Sequence, residues 1–339
     1  MSKRSTDIWV YIEQHAGKPA DVSLELLTKG NKLTEQLGGS LKAIVIGHDM
    51  KGVAREAFRY GTSEVMMIDH PHLENYRTLP YARIMSDLVS KHQPRIVLYG
   101  ATFVGRDLAP RVASFTRSGL TADCTDLRIA DVNYLKKDYP ALLLQIRPAF
   151  GGNIIATIIT PDVPVQMATV REGVMEKTVL DGTHDGTITE LPYEADEMAE
   201  LVSIIESYRE ESKVNLKAAP IIVAGGYGMG NRENFALLHE LADLIGGEVG
   251  GSRAAVDAGF VAPERQVGQT GVTVRPKLYV ACGISGAIQH RAGMQDAQKI
   301  IAINTDPEAP IFDICHYGIV GDAMEVIPSF IESYRRKLK

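Results

Sequence analysis

Short apolar runs recur through this chain with helical stretches between them, and that rhythm restricts the fold more than any other feature. Residues 8–12 read Ile-Trp-Val-Tyr-Ile, with no charged position. A strand with one wet face alternates apolar and polar residues. A run that is apolar throughout is buried on both faces, as in a parallel sheet covered by helices. Residues 43–46, 64–68 and 96–99 repeat the pattern. Asp21 is placed to cap a helix running to Leu37 and ended by Gly38-Gly39. A second helix is expected over residues 80–91, with Pro80 in its first turn and Pro94 just beyond its end. Strands alternating with helices imply βαβ units. The expectation is an α/β protein of two domains, each with a mainly parallel sheet flanked by helices.

After Leu120 the rhythm breaks. Residues 142–146, 154–159 and 163–168 follow one another without an intervening helix, which predicts added, partly antiparallel strands. The α/β rhythm then restarts. Residues 221–224, 278–281 and 300–303 read as buried strands, with helices over 232–244 and an amphipathic last helix over 329–337. A length of 339 residues suits about two domains. Residues 194–211 hold seven acidic side chains and read as a solvated connector, placing a boundary near 208–216. The expected limits are 1–210 and 211–339.

Charge and cysteine usage exclude several functions. The net charge of −6 argues against a nucleic-acid binder, which needs a basic face for phosphates. No apolar run approaches the ~18–20 residues of a membrane helix, so no membrane insertion is expected. The N-terminal residues lack a secretion-signal pattern. Cys124, Cys282 and Cys315 are scattered and odd in number, which points to a reducing cytoplasm. His70-Pro71-His72 has a metal-like spacing but no third histidine nearby, and reads as a surface turn. There is no HExxH, CxxC, GxSxG or P-loop lysine motif.

The chemistry concentrates in residues 266–293. Two glycine-marked loops flank the apolar run 278–281 and carry hydroxyls at Thr270 and Ser285, amides at Gln269 and Gln289, and the imidazole of His290. Glycine lets a backbone approach a ligand closely, and a loop entering a helix offers free N–H groups to an anion. A phosphate-bearing cofactor fits that pattern; the plain alternative is a turn built on Gly268 and Gly271. Residues 225–230 follow a strand and precede a helix, but their glycines miss the G-x-G-x-x-G spacing of a dinucleotide site. Arg253, after Gly250-Gly251-Ser252, is unusual in an apolar segment; Asn304 and Asp322 could equally be turn and loop residues.

These segments together resemble the alpha subunit of electron-transfer flavoproteins. The matching residues are Gln266 to Gly271, Gly283 to His290, Ala302 to Asp306, Ala309 to Phe312, Tyr317 to Asp322, and Ser252 to Asp257. The match is dense over about 216–330. Over 1–210 it is looser, with echoes at Gly105 to Ala113 and Pro164 to Arg171. The resemblance implies FAD bound in the C-terminal domain. It implies contacts from Gly226, Ser252 on the phosphate side, and Arg253 near the ring. It adds Gln266, Val267, Gly268, Gln269 and Thr270 along the ring, with Thr270 near flavin N5. Ser285, Gly286, Ala287, Ile288 and Gln289 would follow, with His290 at flavin O2 as a donor or imidazolium. Asn304 and Asp322 would hold the adenosine part. At Tyr227 the family often has arginine instead.

The resemblance also implies partners. The first would be a beta subunit, carrying AMP or a second FAD, in a heterodimer whose contact with this chain lies on its N-terminal domain. The second would be an acyl-CoA dehydrogenase or related oxidoreductase. Residues 120–124 and 147–153 look like members that bifurcate electrons from NADH. The chain is then an electron carrier, with NADH-dependent oxidoreductase activity expected only of the heterodimer. The alternative is a self-contained NAD- or FAD-dependent dehydrogenase, which would need a convergent acid, base or nucleophile beside the cofactor.

Overall fold

The computed structural model describes residues 5–149, 154–180, 185–194, 202, 204 and 214–338. They fall into two compact units, the second beginning at residue 214 among the described residues. The acidic connector, the expected boundary and the end of the 147–153 loop lie largely outside the described residues. We propose 1–210 and 211–339 as the domain limits.

The first unit begins with β1 (Ile8–Ile12), the short pair β2 (Gln14–His15) and β3 (Lys18–Pro19), α1 (Asp21–Leu37), β4 (Leu41–Gly47), α2 (Lys51–Phe58) and β5 (Glu64–Asp69). It continues with α3 (Thr78–His92), β6 (Ile96–Gly100), α4 (Phe103–Thr116), β7 (Gly119–Cys124), β8 (Asp126–Tyr134), β9 (Lys137–Ala149), β10 (Ile154–Ile158), β11 (Gln166–Val170) and β12 (Thr187–Glu190). Seven of these strands form a parallel sheet in the order β12-β5-β4-β1-β6-β11-β7. Every residue of β1 is buried, as its unbroken apolar run predicts. Ile8, Val10 and Ile12 face one core with Leu26, Leu27 and Leu33 of α1. Trp9 and Tyr11 face the other with Tyr81 and Met85 of α3 and Leu108 and Val112 of α4. Each such aliphatic side chain stabilises by about 1.5–3 kcal/mol on burial.

Several details differ from the sequence reading. Asp21 is not the cap of α1: Ala20 holds that place without a side-chain bond, and Asp21 sits in the first turn. The far end is as expected, with Gly38 left-handed at φ 66 and its N–H on the Thr34 carbonyl. The helix α4, which the sequence reading does not set out, starts at Thr102, whose hydroxyl accepts from Gly105 N at 2.9 Å. The antiparallel addition is real but consists of β8, β9 and β10. The run expected at 163–168 instead forms β11, which inserts parallel between β6 and β7.

The second unit contains β13 (Ile221–Gly225), α5 (Phe235–Ile245), β14 (Glu248–Gly251), α6 (Arg253–Asp257), β15 (Leu278–Cys282), α7 (Ile288–Arg291), β16 (Ile300–Asn304), β17 (Tyr317–Val320) and α8 (Ala323–Leu338). Its parallel sheet has the order β14-β13-β15-β16-β17. The chain steps from β13 to β14 on one side and then crosses to β15 on the other. Strand order therefore reverses between β13 and β15, and the crevice outside the carboxyl ends of those strands is where such sheets hold ligands. Among the described residues no helix is long and apolar enough to cross a membrane.

Candidate functional site

The loops leaving β13 and β15 meet at the reversal point. Gly226 N donates to the Cys282 carbonyl at 2.8 Å, and Gly228 N to the Gly283 carbonyl at 3.0 Å. Gly226 is buried, and a Cβ there would collide with the Gly283 carbonyl. Its missing side chain therefore serves the packing of loop on loop. Its contact with a cofactor, expected from the resemblance, stays a proposal beside this packing role.

A second turn is tied to the same place. Val267 N donates to the Gly251 carbonyl at 2.9 Å, at the end of β14. Gln269 N donates to the Gln289 carbonyl at 2.7 Å, joining this turn to the loop after β15. Gly268 bends between them at φ 148, a conformation that favours glycine.

These segments enclose a cavity of about 710 Å³, within the range of small-molecule and cofactor sites. Twelve of the sixteen expected site residues line it: Ser252, Arg253, Gln266, Val267, Gly268, Gln269, Thr270, Ser285, Ala287, Gln289, His290 and Asn304. Gly226, Gly286, Ile288 and Asp322 are not among the lining residues. Gly286 is buried where a Cβ would strike the Ile311 backbone nitrogen. Asp322 caps α8, its carboxylate accepting from Met324 N at 2.8 Å.

The lining side chains differ in how far their own neighbours satisfy them. Ser252 starts α6 and accepts from Ala255 N at 3.3 Å. Arg253 Nε reaches Asp257 at 3.3 Å, and both side chains are largely exposed. Thr270 Oγ1 accepts from Gln266 Nε2 at 3.1 Å. Asn304 donates to the Ile284 carbonyl at 2.9 Å and accepts from Asp306 N at 2.9 Å, so it fixes the loop after β15. The side chains of Gln269, Ser285 and Gln289 are exposed to the cavity mouth and make no hydrogen bond within the described residues.

His290 is the one buried titratable group in the wall, 6% exposed. It lies in α7, which is only four residues long, so the expected helix entrance is a single turn. Its Nε2 is 3.1 Å from the Tyr279 hydroxyl, which comes from the buried strand β15. Its Nδ1 has no hydrogen-bond partner of ordinary geometry. Burial pushes its pKa down to about 4, only partly offset by the Val267 backbone, so the ring is a neutral imidazole at pH 7. An imidazolium, one of the two expected forms, is not favoured by this surrounding.

Sequence reasoning missed Gly228, Ala254, Asp257, Gly283 and Ile284 in the lining, and left Tyr227 without a role. Asp257 was findable: it lies four residues after Arg253, one helical turn along the same face. Tyr227 stands at the wall with its ring stacked on Phe260, centroids 5.8 Å apart and 17° from parallel. Among the described residues no cluster could hold a metal ion.

The residues present fit a large cofactor with both polar and aromatic parts. The cavity has the volume, three polar side chains without partners of their own, and a buried imidazole with an unpaired nitrogen. Comparison with known proteins agrees. The electron transfer flavoprotein domain matches residues 8–196, and the electron transfer flavoprotein FAD-binding domain matches residues 215–295. Electron transfer flavoprotein subunit alpha of Thermoanaerobacterium thermosaccharolyticum is 48% identical over 97% of this chain and 98% of its own. Protein FixB of Clostridium saccharobutylicum is 47% identical, covering 96% and 95%. Acryloyl-CoA reductase electron transfer subunit beta of Anaerotignum propionicum is 42% identical, covering 97% and 95%. FAD is the cofactor that this C-terminal unit takes. On the strength of both its fold and these relatives, the chain belongs to the electron transfer flavoprotein alpha-subunit family.

Proposed function

We propose that the cavity at the carboxyl ends of β13 to β16 holds FAD, and that the chain passes electrons between a dehydrogenase and another redox partner as a heterodimer with a beta subunit. The observation that carries this is the convergence of twelve residues expected from the resemblance on one cavity at the strand-order reversal. FAD supplies the reversible gain and loss of electrons. The chain's residues supply position and field. The Val267 to Thr270 turn and Gln289, which line the cavity, would hold the ring. Arg253 brings a positive charge toward the region that turns negative on reduction, which favours the reduced form. Asp257, paired with it, tempers that charge. His290 serves as a neutral hydrogen-bond donor. Ser252 and Ser285 sit where loops offer N–H groups to phosphate, and Asn304 keeps the second of those loops in place.

The acyl-CoA partner is supported by the name of the Anaerotignum relative. NADH-driven bifurcation, with a second FAD in the beta subunit rather than AMP, rests on the resemblance at 120–124 and 147–153. The self-contained dehydrogenase has no support in the cavity, whose titratable groups are Tyr227, Arg253, Asp257 and His290. Co-expression with the beta subunit, a visible spectrum and a nucleotide count test these readings. A colourless heterodimer overturns the proposal. Two FAD with NADH-driven reduction supports bifurcation, whereas one FAD plus AMP rejects it.

A further inference from the structure

We propose that Tyr279 is a positioning residue for the flavin site: its hydroxyl donates to His290 Nε2, which fixes the imidazole as the tautomer with its proton on Nδ1. The inference rests on the reading above that His290 serves the flavin. Its starting point is the pair itself, Oη to Nε2 at 3.1 Å with both residues buried.

The direction of that bond follows from satisfying buried groups. Tyr279 is fully buried and its hydroxyl has no other hydrogen-bond partner. Were Nε2 to carry the proton, the ring would donate to the tyrosine oxygen. The tyrosine O–H would then point at nothing, and Nδ1 would be a bare acceptor with no donor near it. Two buried polar groups would be orphaned, each costing of the order of a lost hydrogen bond. With Tyr279 donating, only the Nδ1–H is left over. That N–H is itself buried and lies toward the Val267 backbone, in the turn that lines the cavity, so the tautomer bears on the flavin site through that turn. The proton position of a histidine is set by the bond its other nitrogen makes.

Burial supports the arrangement from both sides. It pushes the Tyr279 hydroxyl well above its ordinary range, so the tyrosine keeps its proton and can donate. It keeps the imidazole neutral, so Nε2 has a lone pair to accept. No other titratable side chain makes a hydrogen bond to either ring nitrogen among the described residues. Cys282, at the end of the same strand, is held as a neutral thiol by burial. Tyr279 also belongs to the hydrophobic cluster with Val267, Ala281 and Ile284, which packs around its ring. The tautomer is thus held from the side of the protein core.

The test begins with the wild-type chain in its heterodimer, labelled with 15N-histidine. The His290 signals are assigned by their loss in His290→Gln. The expected result is a protonated Nδ1 and an unprotonated Nε2 near neutral pH; a protonated Nε2 overturns the proposal. In Tyr279→Phe the ratio of Nδ1–H to Nε2–H should fall by roughly five-fold, the worth of one neutral hydrogen bond. An unchanged ratio also overturns it. The flavin midpoint potential of the same variant separates this inference from the reading it rests on. A lower potential with a shifted tautomer upholds both. A shifted tautomer with an unchanged potential upholds the role of Tyr279 in setting the ring and removes His290 from the flavin.

Discussion

Each unit has a parallel sheet whose strand order reverses, and the two reversal points are finished differently. In the first unit the reversal lies between β1 and β6. The Thr102 hydroxyl at the start of α4 donates to the Glu13 carboxylate beyond the end of β1. At the ends of β7 and β11, Arg171 clasps Asp123 through two bonds of 2.6 and 3.2 Å, and Arg106 approaches the same carboxylate at 3.6 Å. Charge there is answered by charge from the same unit. In the second unit the reversal is closed mainly by backbone, with Asn304 the side chain that ties in, and Gln269, Ser285 and Gln289 are left facing a cavity without partners among the described residues. One topology yields a self-satisfied end and a receptive one. What decides between them is whether polar groups placed there already have partners.

That contrast can be broken by mutation. The largest effect is expected at the backbone closure. Gly226→Ala should cost about 3 kcal/mol of stability, because the added methyl meets backbone that cannot rotate away. The first-unit control, Gly52→Ala, has open space in a helix and should leave the melting temperature unchanged or raise it. Urea unfolding of the two variants reads the difference.

The next effect is the pH dependence that His290 gives the second unit. His290 has its pKa depressed from 6.5 to about 4 in the folded chain. Between those values the unfolded chain binds more protons than the folded one. Stability is therefore full above the unfolded value and falls as pH drops from about 6.5 toward 4, by on the order of 3 kcal/mol. His290→Gln should flatten the slope by that share in denaturation curves of the cofactor-free chain.

Arg171→Ala should cost about 2 kcal/mol, since it leaves the half-buried Asp123 without its two-pronged partner. Smallest of all should be the stability change in Gln289→Ala, under about 0.5 kcal/mol, because its side chain is exposed and unpaired. Its effect should appear instead as weaker FAD binding in titrations followed by flavin fluorescence. If Arg171→Ala altered cofactor affinity and Gln289→Ala altered stability, the contrast between the two ends would be wrong.

Much of the scaffold was legible because burial on two faces writes itself into single strands. The runs at 8–12, 221–224 and 278–281 needed no partner to be recognised. Register across the sheet is not local, and β11 shows the cost: its apolar run looks the same whether it extends an antiparallel hairpin or enters a parallel sheet. The helix α4 was hidden by Pro110 in its interior and by Phe103 and Phe115, 97% and 75% exposed, which blur its apolar stripe. At the site, hydroxyls, amides and the imidazole declared themselves by type and spacing. Gly226 and Gly286 did not declare their purpose, because the groups that need the space, the Gly283 carbonyl and the Ile311 nitrogen, lie far along the chain. Tyr279 read as one more apolar strand residue, since nothing nearby in sequence reveals that its hydroxyl meets His290.

The two glycine loops latched at the reversal point have a consequence for electron transfer. A floor made of peptide groups bonded to one another has no side chain to swing and no rotamer to exchange when charge arrives or departs. With FAD held in the cavity as proposed, the dipoles nearest the electron would be those that were there before it, so little of the driving force would be lost to nuclear rearrangement. The stiffness of Gly228 and Gly283 in the wall, latched through Gly226 behind them, would then show itself in the rate of electron exchange, as a low reorganisation energy.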